Sequence, residues 1–400
     1  MSVGAGSSGE SRKLASEAAF PRGLLLVLAV CAGASVANLY YAQPLLAQIA
    51  GTFDVSARIG WVAVAPMVGY TVSLVSILPL GDLVDRRRLS VVLACVMAVG
   101  AFACAIAPSL VLLAVACGVL GFGAVITQIL LPMSADIVQE PQRARALGIV
   151  FSGVLAGILA ARTLSGFIGQ AYGWRTMFFV ASFVAISLAL TLGKALPKSA
   201  PKAKQSYLSL FTSMWQMLRQ HAPLRSACLI QGCLFGVFTA FWSVLALLLA
   251  SPPFEMGAAV AGSFGIVGIV GVIAANLSGR IIERFGSANG RLFGIGCCLF
   301  AYVVFAVDIS LRGLVIGVIL MDFGLSIANV SSQNTILGLE SAARNRINTL
   351  YVTSIFLGGS LGAFLASLGW AHAGWSAVCA LGLVLSLIAL GAHLLGQRRN

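Results

Sequence analysis

Twelve apolar segments, each about the length that crosses a bilayer, constrain this chain more than any other feature. They fall at about 23–48, 59–80, 89–107, 109–133, 147–171, 176–196, 225–250, 257–278, 292–308, 313–337, 348–371 and 375–396. Lipid offers no partner to backbone N–H and C=O groups, so each such stretch must close its hydrogen bonds internally as a helix. Strand-type alternation is absent, which excludes a β-barrel. Hydrophobic residues make up 59% of the chain and charged residues 9%, against about 25% charged in a soluble domain. Twelve helices take up roughly 240 to 270 residues, leaving short connections and no sizeable soluble domain. The fold class predicted is an all-α membrane protein with twelve transmembrane helices.

Lys and Arg are distributed unevenly between the two classes of loop. The class that includes both ends holds Arg12, Lys13, Arg22, Arg86–Arg88, Arg143, Arg145, Lys194, Lys198, Lys202, Lys204, Arg219, Arg225, Arg280, Arg284, Arg291, Arg344, Arg346, Arg398 and Arg399. The other class holds only Arg58, Arg175 and Arg312. Positively charged loops stay in the cytoplasm, so both termini are expected there. The net charge of +13 therefore reports topology, and nucleic acid is not an expected partner. Residues 1–22 read as a disordered cytoplasmic tail without a cleavable signal. Spans then fill 23–196 and 225–396, separated by a Lys-rich central loop at 197–224 and followed by a short cytoplasmic tail at 397–400. Within that loop, residues around Ser206–Gln220 are predicted to form an amphipathic helix on the membrane surface.

Catalytic and metal chemistry find no foothold. The nine cysteines all lie in apolar runs without a CxxC, so neither a disulfide framework nor a zinc site is expected. His221, His372 and His393 lack metal-ligand spacing. No phosphate-binding loop or nucleophile elbow occurs. No cofactor and no enzymatic activity are expected. A membrane enzyme or a channel remains a remote alternative.

The two halves repeat. At an offset of 201, Phe122-Gly123 falls on Phe323-Gly324, Gln128 on Asn329, Arg143 on Arg344, Arg145 on Arg346, Gly157 on Gly358, and Tyr40-Tyr41 on Phe241-Trp242. Near offset 198, Gly81, Asp85 and Arg86 fall on Gly279, Glu283 and Arg284. With six spans per half the repeat is parallel, a construction used by secondary transporters that hold substrate near the midplane between halves.

These residues carry a resemblance to the major facilitator superfamily over essentially the whole chain. Gly81-Asp82-Leu83-Val84-Asp85-Arg86-Arg87-Arg88 resembles its loop motif between helices 2 and 3, with Arg88 where glycine is usual. The glycine pair on helix 4 (Gly121, Gly123) is present, while Cys117 stands where proton antiporters often carry an arginine. Helix 5, from Gly153 to Gly166, resembles the antiporter motif of drug:proton antiporters without its proline. Asn38-Leu39-Tyr40-Tyr41-Ala42-Gln43-Pro44, Asp322-Phe323-Gly324 and Arg344-x-Arg346-x-Asn348-x-x-Tyr351 resemble a bacterial efflux-type subgroup. The resemblance implies two pseudo-symmetric six-helix bundles in a bacterial inner membrane, working as a monomer by alternating access. It also implies efflux of a small organic compound in exchange for protons. Proton-coupled import of an organic anion is the alternative.

Two charges lie inside spans, Arg162 and Asp322. Counted from Arg175 and Arg312 at 1.5 Å per residue, they sit about 20 and 15 Å deep. A charge at that depth faces a cavity or a partner. The repeat maps Arg162 onto Ala363 and Asp322 onto Gly121, so the scaffold shared by the halves requires neither. Asp322 is the candidate proton carrier. Arg162 is a candidate either for pairing with Asp322 or for holding an anionic substrate. A permanent structural salt bridge is the rival reading of both. Candidate substrate contacts are Tyr40, Tyr41, Gln43, Gln128, Arg162, Gln231, Trp242, Asn329, Gln333 and Tyr351, since mostly apolar cavities with a few polar groups suit organic ligands. An interfacial aromatic belt competes for Tyr40, Tyr41 and Trp242. Gly81, Asp85, Arg86, Arg88, Gly279, Glu283, Arg284, Arg344 and Arg346 form a candidate cytoplasmic gate or serve only to retain loops inside.

Overall fold

The structure, a computed structural model, describes residues 21–54, 59–77, 80, 83–197, 207–339 and 344–397. Among them every regular element is helical. The first span is α1 (Arg22–Ala37), a 3-10 turn at Gln43–Leu45 and α2 (Leu46–Phe53). The second is α3 (Gly60–Ser76) and the third α4 (Arg86–Ile106). The fourth divides into α5 (Leu110–Gly123) and α6 (Ile126–Asp136). The fifth and sixth are α7 (Arg143–Tyr172) and α8 (Trp174–Ala195). A connecting helix α9 (Tyr207–Gln220) precedes the seventh span, α10 (Ala222–Ala250).

The eighth span consists of α11 (Ala258–Val267) and the start of α12 (Ile269–Val307), which turns into the ninth span at Gly286. The tenth is α13 (Leu311–Leu337). The last two run through α14 (Arg344–Gln397), which reverses at Ala373 and Gly374. Gly286 and Gly374 have φ of 81° and 63°, the left-handed region that side chains disfavour, which is why these tight reversals fall on glycine. Among the described residues eight helices are long and apolar enough to cross a bilayer on length and composition, and Arg22–Ala37, Gly60–Ser76 and Ala258–Gly271 are shorter apolar helices. Leu26, Val30, Val99, Phe102, Phe183, Leu190, Phe300 and Leu387 stay exposed on the outer walls, as lipid-facing side chains should.

Apolar length marks one span each at about 23–48, 109–133 and 257–278. All three are interrupted. Pro44 lacks an N–H and its ring crowds the preceding turn, and Asn38 Nδ2 caps backward onto the Ala34 carbonyl at 2.8 Å. The eighth span breaks at Gly268 and the fourth at Ala124-Val125. The expected tail at 1–20, most of the Lys-rich part of the central loop and the last three residues lie outside the described residues.

Within the first bundle α1 packs on α7, α3 on α5 and α4 on α8; within the second α10 packs on α14 and α12 on α13. Missing side chains set the closest approaches. Gly153 and Gly157 of α7 meet the α1 backbone at Ala29 and Gly33, and Gly358 and Gly362 of α14 meet the α10 backbone at Gly232 and Gly236. Close backbone packing is what such glycine faces favour in lipid, where there is no hydrophobic drive between helices; these four pack inside a bundle, while Gly166 of α7 packs across the seam on Ala258 and Gly262 of α11.

A different set of contacts joins the bundles: α7 on α11, and α3 on α14. At the face opposite the termini, Ala259 N–H donates to Gln170 Oε1 at 2.8 Å, and Gly60 lies against Ser367. Deeper in, Thr163 Oγ1 donates to the Gly262 carbonyl at 3.2 Å, Thr71 and Ser360 hydroxyls lie 3.4 Å apart, and the Tyr70 and Phe356 rings are 4.3 Å apart. The seam is packed from that face down to mid-depth.

Candidate substrate and coupling site

Arg162 of α7 is the centre of the seam. It is 2% exposed. Its guanidinium carbon stands 3.7 Å from the centroid of the Trp242 ring, 4.8 Å from Tyr40 and 5.3 Å from Phe238. Its Nε donates to Gln43 Oε1 at 3.0 Å. Tyr40 and Gln43 sit where the first span leaves the α-helix, Tyr40 in the turn after α1 and Gln43 at the start of the 3-10 turn, and both meet Arg162 of α7 there. Trp242 and Phe238 are one turn apart on α10, so they present a single aromatic face from the second bundle. Three rings around a guanidinium give it face-on quadrupole attraction that a dry site strengthens.

Asp322 of α13 is 6% exposed. An added Cβ on Gly268 would lie 3.1 Å from Asp322 Oδ2 and 3.1 Å from Leu159 Cδ2, and one on Gly271 would lie 3.4 Å from Asp322 Cβ. The carboxyl therefore occupies the gap left by two glycines at the α11–α12 break. Its Oδ1 is buried without a hydrogen-bond partner, as is Nη2 of Arg162. No ion pair within 4.0 Å joins the two residues. Leu159, one turn before Arg162, approaches Gly268 from the α7 side while Asp322 approaches it from α13. A cation and a carboxyl from different bundles thus flank one helix break without contact.

The other sequence candidates divide into groups. Tyr41 is buried, and its carbonyl accepts the Ser165 hydroxyl at 2.5 Å. Gln128 donates to the Tyr70 hydroxyl at 3.1 Å, which places it at the edge of the aromatic pair formed with Phe356. Gln231 is buried with Oε1 unpartnered. Tyr351 donates to Asn329 Oδ1 at 2.8 Å, and Gln333 reaches the same oxygen at 3.4 Å; this cluster lies within the second bundle. The burial of Tyr40, Tyr41 and Trp242 in the seam leaves none of them in an outer belt. Sequence reasoning missed Phe238, Tyr70, Phe356 and Leu159. Of these only Phe238 had a signal, its one-turn spacing from Trp242.

Of the candidate gate residues, Gly81 and the Arg344 side chain lie outside the described ones. Asp85 Oδ1 accepts the Arg87 N–H at 3.0 Å, capping α4. Arg86 forms an ion pair of 2.9 Å with Asp136 at the end of α6, and Arg87 donates to the Gly193 carbonyl. Arg88, Gly279, Glu283 and Arg284 are exposed, and Arg346 is half-buried. Among the described residues no cluster of His, Cys, Asp and Glu suits a metal.

Two parallel six-helix bundles with a buried polar seam define a membrane transporter of the two-bundle kind. The chain belongs to the Major Facilitator Superfamily, whose model matches residues 25–338. It is 34% identical over 370 residues to the uncharacterized transporter YgaY of Escherichia coli O157:H7, covering 92% of this chain and 94% of the relative. A shorter match, 33% identical over 122 residues, covers 30% of this chain and 23% of the multidrug resistance protein Stp of Mycobacterium tuberculosis CDC 1551 / Oshkosh. Among solved structures, an inward-facing, unoccupied bacterial homolog of the human lysosomal transporter Spinster superposes with a TM-score of 0.74 at 16% identity, covering 94% of this chain and 97% of that one. That likeness is one of fold.

Proposed function

We propose that this chain is a secondary active transporter of a bacterial inner membrane that expels a small organic compound from the cytoplasm in exchange for protons. The carrying observation is the pair of buried opposite charges, Arg162 and Asp322, on different bundles at the α11–α12 break, not joined in an ion pair and each with one buried polar atom lacking a hydrogen-bond partner. A buried carboxyl without a cation keeps its proton, and one brought beside a guanidinium loses it. Rocking of the bundles changes their separation, and so couples proton uptake or release to which face is open. The packed seam at the face opposite the termini corresponds to a carrier open toward the cytoplasm, with the termini on that side as the loop charges require. The resemblance to efflux-type proteins and the short match to a multidrug resistance protein support the outward direction.

The test is a compound-susceptibility screen of a strain overproducing the protein. Raised tolerance to at least one organic compound is expected. With that compound, wild-type inverted vesicles should show compound-dependent proton movement, and Asp322→Asn vesicles should lose at least nine-tenths of it. Full proton-coupled transport by Asp322→Asn would sink the coupling role.

A further inference from the structure

Arg162 and Trp242 share an unmet chemical need. Both side chains are 2% exposed. Arg162 Nη2 and Trp242 Nε1 are each buried without a hydrogen-bond acceptor. Both line one cavity of about 10 Å³, with Gln43 at its polar edge and Leu245, Ala246 and Ala261 along an apolar wall. The nearest candidate counter-charge, Asp322, makes no ion pair within 4.0 Å. The site therefore presents two donors and one net positive charge, and its protein acceptor, Gln43 Oε1, is already used by Nε.

Buried donors need acceptors, and a buried charge needs an opposite one. Water can accept from both N–H groups, but it cannot balance the charge. An anionic oxygen does both. The flat guanidinium edge matches a carboxylate, which can take a second bond from the indole N–H. A cationic ligand would meet like charge at the deepest point of the seam. The cavity is about one water in size, which accommodates a single oxygen while the seam is packed. The body of a ligand gains room along Leu245, Ala246 and Ala261 as α7 and α11 separate.

We infer that the transported compound is an organic anion: a carboxylate on an apolar body, its oxygen held between Arg162 Nη2 and Trp242 Nε1. This rests on the carrier reading of the same site and names its substrate class. It also separates this chain from carriers of lipophilic cations, because the residues lining the cavity beside Arg162 and Trp242 include no carboxylate.

Three probes on one scaffold test the inference with the purified full-length protein in nanodiscs: 2-naphthoate, 2-naphthamide and 2-naphthylmethylammonium. Binding is read by thermal stabilisation and by tryptophan quenching. The naphthoate is expected to bind at least tenfold more tightly than the amide, with the ammonium weaker still. Arg162→Gln should bring the carboxylate-to-amide ratio close to one. Trp242→Phe, which keeps the stacked ring and removes the N–H, should reduce that ratio by about threefold to tenfold. Equal affinity for carboxylate and amide in the wild type, preference for the ammonium, or absence of carboxylate binding overturns the inference. The wild-type comparison stands even if Arg162→Gln does not fold. Loss of the charge preference leaves proton coupling through Asp322 standing, and loss of proton coupling in Asp322→Asn leaves the charge preference standing, so the two readings fail separately.

Discussion

At the residue scale, the seam depends on atoms that are absent. A Cβ on Gly262 would stand 2.5 Å from the Arg162 carbonyl oxygen and 3.0 Å from Gly166 Cα. Those neighbours are backbone and cannot swing aside. Gly262→Val should therefore penalise the packed seam by about 1–3 kcal/mol while sparing the interior of either bundle. The population then shifts toward the state in which α7 and α11 are apart. In a cysteine-free background, Ala261→Cys should react with a membrane-impermeant maleimide from the outer face at least fivefold faster when Gly262→Val is present. An unchanged rate would show that the α7–α11 contact does not hold that face closed. Asp322 and its two glycine neighbours obey the same logic: the carboxyl is accommodated because Gly268 and Gly271 are bare.

At the element scale, helix ends and helix breaks do different work. Asp85 begins α4 as an N-cap, and losing such a cap costs about 1 kcal/mol. The Arg86–Asp136 pair ties α4 to α6 with its carboxylate 41% exposed, and a partly exposed pair contributes about 0–1 kcal/mol. Asp85→Ala should thus lower the thermal unfolding midpoint in detergent more than Asp136→Asn does. The reverse order would mean that the ion pair, not the cap, sets the stability of this end. The breaks at Asn38–Leu45 and Gly268 serve the site instead. One delivers Tyr40 and Gln43 to Arg162, and the other opens room for Asp322. Interrupted backbone is tolerated at membrane depth where it lines a protein cavity.

At the scale of the whole molecule, loop charge predicts cytoplasmic termini, and the proposed open face rests on that prediction. Alkaline phosphatase fused after Asp308 should be active, and the same reporter fused after Gly286 inactive, while green fluorescent protein at the C-terminus should fluoresce. The opposite pattern would invert the topology and turn the packed face toward the cytoplasm. Both bundles are needed for the site, since Arg162 and Gln43 come from one and Phe238 and Trp242 from the other. Neither bundle alone encloses the guanidinium.

Much of the architecture was legible in the chain itself. Segment length and apolarity dictate twelve spans because lipid satisfies no backbone group, the offset repeat dictates two similar bundles, and loop charge predicts their orientation. Arg162 and Asp322 stood out because a charge at mid-span is too costly to be incidental. Periodicity does not report where a helix breaks, which helix faces which, or how far apart two side chains lie. The aromatic enclosure of Arg162, the gap between it and Asp322, and the split of the α7 glycines between bundle interior (Gly153, Gly157) and seam (Gly166) were settled only by tertiary packing. Each depends on contacts between segments far apart in the chain, whose distances no local pattern encodes.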